Sequence, residues 1–167
     1  MTIEYFQTLS RYNRWMNEKL YNACSAMPDT LRREDCGAWF KSVHGTLNHL
    51  LLCDRLWLGR FTQKPYPATS LDQELFHDWD KMKRERAVTD DAIDAWLASL
   101  CDDDLKQRIT FTAISNPQQR TMVLWILMAH LFNHQTHHRG QMTTLMEQLG
   151  YDSGATDLLV MPGALDL

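Results

Sequence analysis

Four of the seven histidines in this chain fall between His130 and Gln141, in the run His-Leu-Phe-Asn-His-Gln-Thr-His-His-Arg-Gly-Gln. Residues four apart on a helix lie one turn above each other, so His130, His134 and His138 form one column of imidazoles while His137 points elsewhere. Leu124, Leu127, Leu131, Leu145 and Leu149 recur around them, and His134 and His138 continue that buried stripe. A neutral imidazole buried without hydrogen bonds costs about 1–3 kcal/mol. A shared metal ion would remove that cost, because histidines at i and i+4 can aim two ring nitrogens at one cation, at about 2.0–2.1 Å for zinc. The plainer alternative is a set of separately hydrogen-bonded core or surface histidines, and HxxxH by itself does not decide between them. The residue after His134 is Gln135, where the zinc-protease helix carries a glutamate base, so peptidase chemistry of that type is disfavoured.

Such a column needs a long helix to carry it and a second element to face it. The spacing predicts a last helix from about Val123 to Leu149, stopped by Gly150. A helix capped by Ser42 and running to about Phe61 is apolar nearly all round, as a helix buried among others should be. It brings His49 onto a face with Thr46, Cys53 and Leu56, a third imidazole for the pair; His44, at the helix start, is the competing candidate, with an exposed or capping role expected. A first helix spans Ile3 to about Met27, ended by Pro28, and Asp29 to Gly37 reads as loop with a short turn around Leu31. After a connector from Gln63 to Ser70, a third helix is expected from Leu71 to Arg86, followed by a helical segment from Asp90 to Cys101 that continues it or stands apart. Arg108 to Ala113 and Gln119 to Met122 alternate with a period near two around Ser115-Asn116-Pro117, a small β-hairpin that must lean on the helices. The tail from Tyr151 to Leu167 is expected as coil folded back over the helices. The fold class is therefore all-α, an up-down four-helix bundle with a small hairpin before the last long helix, in one domain over residues 1–167.

At 167 residues and 44% hydrophobic content the chain can bury one sizeable core. Its net charge of -4, with no basic run interleaved with aromatics, argues against nucleic acid as a partner. Arg32-Arg33 and the basic residues between Lys81 and Arg86 read as solvated faces, and Arg139 is expected to point outward. The apolar run at Leu50-Leu51-Leu52 is broken by Asp54 and Arg55, far short of a membrane span, and the first residues carry no export signal. Cys24, Cys36, Cys53 and Cys101 lack CxxC spacing, as expected of reduced thiols in the cytoplasm. Tyr5, Phe6, Tyr12, Trp15 and Tyr21 give the first helix more apolar surface than one bundle face needs, which predicts a homodimer.

Leu47-Asn48-His49-Leu50-Leu51-Leu52-Cys53-Asp54-Arg55-Leu56-Trp57 and Asn133-His134-Gln135-Thr136-His137-His138-Arg139-Gly140-Gln141 resemble the DinB family, as do Tyr12-Asn13-Arg14-Trp15 and Gly150-Tyr151-Asp152. The resemblance implies a four-helix metal-binding bundle, often dimeric, whose metal ligands carry over to His49, His134 and His138. Some members of the wider superfamily are thiol-dependent transferases or isomerases using bacillithiol, mycothiol or glutathione. The family name refers to damage-inducible expression, which implies a stress-response setting and not DNA binding. Three imidazoles leave a coordination position open to water or substrate, which does not choose between hydrolysis and S-transfer; with Gln135 where a protease carries its base, a metal-dependent thiol S-transferase is expected first, with a hydrolase or a non-catalytic metal-binding stress-response module as alternatives. The expected cofactor is a divalent ion, zinc first, with nickel, iron or manganese compatible with imidazole ligands. No catalytic residue beyond the ligands is assigned. Gln141, one turn beyond His138, is a candidate substrate or supporting contact, and His130 a candidate to orient the site by a hydrogen bond. The expected partner is a small-molecule substrate or low-molecular-weight thiol, with no nucleic acid and no membrane.

Overall fold

A computed structural model describes residues 2–114 and 117–164. It is mostly helical: α1 (Ile3–Ser25), a one-turn α2 (Asp29–Arg32), α3 (Val43–Phe61), α4 (Trp79–Ala98) and α5 (Leu124–Gln148), with strands β1 (Arg108–Thr112) and β2 (Gln119–Val123) between α4 and α5. α1 packs on α4 and α5, and α3 packs on the same two, so the four long helices share one interior. The strands pair antiparallel, Arg108 opposite Val123 and Phe111 opposite Arg120, and lean on α3 and α5. The expected turn at Ser115 and Asn116 lies outside the described residues. No helix among those described is long and apolar enough to cross a membrane.

Local chemistry accounts for the boundaries. Ser42 Oγ accepts from Gly45 N at 3.0 Å and starts α3, and Gly150, at φ +80°, follows the end of α5. The expected helix from Leu71 does not form. Asn48 Oδ1, buried on α3, accepts from the backbone N–H of Leu75 and Phe76 at 2.9 and 3.0 Å, so these donors are satisfied by a side chain and the segment lies across α3 as turns. α4 starts only at Trp79, where Asp78 Oδ1 accepts from Lys81 N at 2.6 Å. It runs on through Asp90 without a break, because Asp90 binds Arg86 one turn back instead of capping a new helix. The tail from Tyr151 to Ala164 is coil with tight turns at Leu158–Val160 and at Met161 to Ala164, tied to α1 where Tyr12 Oη donates to the Thr156 carbonyl.

Two apolar clusters fill the interior. One gathers Met16, Leu20, Leu47, Leu51, Met142 and Met146; the other gathers Phe6, Trp57, Ile93, Leu127, Leu131 and Phe132 near the hairpin. The expectation that the arginines are solvated fails at three positions. Arg32 is buried and donates to the Cys24 carbonyl at 3.1 Å and to the Met27 carbonyl, closing the open end of α1. Arg86 and Arg139 are buried among polar groups described below.

Candidate metal centre

α3 and α5 pack face to face and bring His49 against His134 and His138. His49 Nδ1 lies 2.8 Å from the Leu71 carbonyl, and His138 Nδ1 lies 2.7 Å from Gln141 Oε1. Each carbonyl-type oxygen accepts from the ring N–H, which fixes that tautomer and leaves Nε2 with its lone pair. One ligand atom from each of the three histidines lies within 4.8 Å of the others, and the Nε2 atoms of His49 and His134 are 3.3 Å apart. Two donors held tetrahedrally at about 2.0–2.1 Å from one ion sit about 3.3–3.4 Å apart, so this pair is already at ligand spacing. Burial lowers all three pKa values, His49 to about 4 and His134 to about 3, so the rings are neutral near pH 7. His134 Nδ1 is buried without a hydrogen-bond partner among the described residues, the cost of aiming its Nε2 at the same point. Three neutral nitrogens, convergent and partly oriented, fit a divalent ion.

Phe40 covers this point from one side. Its ring stacks on His49 at 3.7 Å and meets His138 edge-on at 5.5 Å. The loop carrying it is closed by Cys36 N to Lys41 O at 2.8 Å, with Lys41 in the left-handed region at φ +65°. Nothing in a helical or strand period flags Phe40; the only signal was an aromatic pair, Trp39-Phe40, in an otherwise polar stretch before α3.

On another side His49 and His134 open onto a cavity of about 480 Å³, walled by Trp57, Phe111 and Leu127 among others. His130 stands on its wall as the outer member of the column. It is exposed, edge-on to Trp57 at 5.1 Å and 5.9 Å from His134 between ring centres, with no hydrogen bond to the three histidines among the described residues. Cys53 is buried, with Sγ 3.6 Å from His49 Nε2, and burial pushes its thiol up to about 12. His44 is neither exposed nor in the cluster: it is buried, and its Nε2 meets Glu74 Oε1 and the Phe76 carbonyl at 3.0 Å each, because the 71–78 segment folds over it.

The helix carrying His134 and His138 is held in register by buried polar groups, two of which, Arg86 and Arg139, were expected to be solvated. Gln135 and Arg139, four apart, form a second column turned into the protein interior. Gln135 is 0% exposed; its Nε2 donates to Asp54 Oδ1 and, at 3.3 Å, to the Leu50 carbonyl. Asp54 also pairs with Arg86 Nη1 at 2.7 Å, and Arg86 Nη2 reaches Asp90 at 2.7 Å, which accepts from Asn17 as well. Arg139, expected to face outward, donates to Asn13 Oδ1 and, at 3.1 Å, to Thr136 Oγ1, with its guanidinium over the Tyr12 ring. Burial raises the Asp90 carboxyl to about 6 and moves Asp54 in the same direction, while Arg86, held between two carboxylates, stays charged.

The sequence model of the DinB family matches residues 1–164. Protein DinB of Bacillus subtilis (strain 168) is 28% identical over 157 residues, covering 89% of this chain and 88% of the relative. The crystal structure of a DinB-like protein from Bacillus cereus ATCC 10987 superposes with a TM-score of 0.70 at 24% identity, over 92% of this chain and 97% of that one, a likeness of fold.

Proposed function

The chain belongs to the DinB family, and from that premise we propose that it binds one divalent ion through His49, His134 and His138 and acts as a metal-dependent thiol S-transferase. Zinc is the first choice, and nickel, iron or manganese suit the same imidazoles. The observation that carries the reading is the convergence of three neutral imidazole nitrogens beside a cavity whose described lining contains no carboxylate. An ion there would supply Lewis acidity toward a thiol or a water. The chain does the rest. Leu71 and Gln141 orient the rings, Phe40 keeps solvent from one side, and the apolar walls hold an electrophile. In the transfer the thiol sulfur forms the new bond and the leaving group departs with its electron pair. The thiol proton passes to solvent or to the neutral His130 imidazole on the wall.

Hydrolysis by the zinc-protease route lacks its base, since the nearest acid in sequence, Asp54, is 0% exposed and bonded to Arg86 and Gln135. A second reading, a non-catalytic metal-binding module of a stress response, is favoured by Cys53, whose sulfur beside His49 could close the coordination sphere. We also propose a cytoplasmic homodimer; of the first-helix aromatics Tyr5 is exposed, while Phe6 and Tyr21 are buried within the chain. Sedimentation showing a concentration-independent monomer would remove the dimer.

The test is to purify the protein without a histidine tag and load it with zinc, nickel or manganese. Conjugation of a generic electrophile is then assayed with glutathione, bacillithiol and mycothiol, beside a panel of esters and amides. Thiol conjugation that needs the metal is the expected result. Turnover confined to hydrolysis would replace the transferase, and no turnover with any metal would favour the binding module.

A further inference from the structure

Five of the eleven arginines, Arg14, Arg32, Arg33, Arg55 and Arg86, pair with a carboxylate. The other six pair with none among the described residues, and three of these, Arg60, Arg108 and Arg120, line two adjoining cavities, the one of about 480 Å³ beside the histidines and one of about 690 Å³. The two cavities share Leu56, Arg60, Phe111 and Ile114, and neither has an aspartate or glutamate in its described lining. In a chain with 21 acidic and 17 basic residues, a wall of one sign is a local departure from the overall charge.

Arg60 occupies the shared position. Its guanidinium stacks on Trp57 at 4.4 Å and on Phe111 at 5.1 Å, which fixes the plane of its donors. Nη2 donates to the Thr112 carbonyl at 3.3 Å, and Nε and Nη1 have no partner among the described residues. Burial lowers its pKa without a carboxylate to oppose it. A half-buried guanidinium held flat, with free donors beside an apolar cavity, is built to receive a planar anion at two points.

We propose that Arg60 is the specificity-determining residue of the cavity beside the histidines, and that it selects a small carboxylate with an apolar body. The carboxylate meets the guanidinium, and the body lies along Trp57, Leu127 and Phe111 toward His49 and His134. The proposal rests on the reading of that site as a substrate site, and Arg60 needs no metal to exert the preference.

Calorimetric titration of 4-phenylbutyrate, 4-phenylbutan-1-ol and 4-phenylbutylamine into zinc-loaded and chelator-treated protein tests it. The expected result is that the carboxylate binds at least about tenfold tighter than the alcohol in both states, with the amine weakest, as charge-assisted pairing requires. Arg60→Gln should abolish that preference, bringing carboxylate and alcohol to within about twofold of each other. No preference in the wild type would overturn the proposal. So would a preference that survives Arg60→Gln, or one that vanishes on removing zinc, which would place the anion on the ion. If Arg60→Gln loses its helical circular dichroism, Arg60→Lys decides, since it keeps the charge and loses the fork: a drop of at least about threefold supports the proposal and an unchanged ratio overturns it. Failure to take up zinc would sink the metal reading and leave the carboxylate preference measurable.

Discussion

Arg86→Met removes the one cation that serves two buried carboxylates. Arg86 is 3% exposed and lies 2.7 Å from both Asp54 and Asp90, which are 0% and 4% exposed. Breaking a buried pair by deleting one partner costs about 3–5 kcal/mol, because the remaining charge is left uncompensated. That is about a fifth or more of the roughly 5–15 kcal/mol that holds a domain folded. The loss depends on pH with a definite sign. Burial already holds Asp90 at about 6, above its unfolded value, so its favourable contribution is present at low pH and fades as pH rises through 6. Without Arg86 both carboxyls rise further, and the variant goes on losing about 1.4 kcal/mol per pH unit and per carboxyl where the wild type has levelled off. For one carboxyl held above 7.5 the difference between variant and wild type should therefore narrow by about 2 kcal/mol on going from pH 7.5 to pH 5. Urea unfolding followed by circular dichroism at the two pH values measures this. The triple variant Arg86→Met, Asp54→Asn, Asp90→Asn should recover most of the loss, since neither carboxylate is left charged without Arg86. A single variant within about 1 kcal/mol of wild type at pH 7.5, or a loss equal at both pH values, would refute the assignment of this cluster as the element that keys α5 in place.

Gln141→Leu removes the acceptor for His138 Nδ1–H and should weaken metal affinity by about 10–100-fold with little change in helicity, read by competition with a chromogenic chelator. Gly59→Ala puts a Cβ 2.7 Å from the Lys64 carbonyl oxygen and 2.8 Å from Tyr66 N. Both neighbours are backbone, so the substitution should cost at least about 1–3 kcal/mol, seen as a lower urea midpoint. Ser42→Ala removes the acceptor for Gly45 N–H and should cost about 1 kcal/mol in the same assay, with metal content unchanged.

The positions of the long helices on either side of the site were readable because their apolar periods and caps are local: Ser42 before α3, Gly150 after α5, the leucine stripe beside the histidines. The pairing of His49 with the α5 histidines was legible in part: His49 shares a core face with Thr46, Cys53 and Leu56, His44 on the same helix competed with it, and the resemblance to the DinB family chose between them. What escaped depended on partners distant in sequence. The segment before α4 looked helical by its spacing, and Asn48 from another helix takes the N–H groups that helix would have used. Arg139, Arg86 and Arg32 are charged, and burial of a charge follows only from where Asn13, Asp54 and the end of α1 lie in space. Gln135 was read for the base it is not, although its role is to donate into the interior. Phe40 sits in a loop without a period, and only the closing of that loop brings its ring onto His49.

Metal content is the most direct measure of the central claim. Protein purified without a histidine tag, incubated with zinc and freed of excess ion, should carry about one equivalent per chain by mass spectrometry of the metal, as a three-imidazole site requires. His134→Ala should lose most of it, and His130→Ala, which changes a residue on the cavity wall outside the convergent set, should keep it. Full retention in His134→Ala, or loss in a folded His130→Ala of the same extent, would contradict the placement of the ion among His49, His134 and His138.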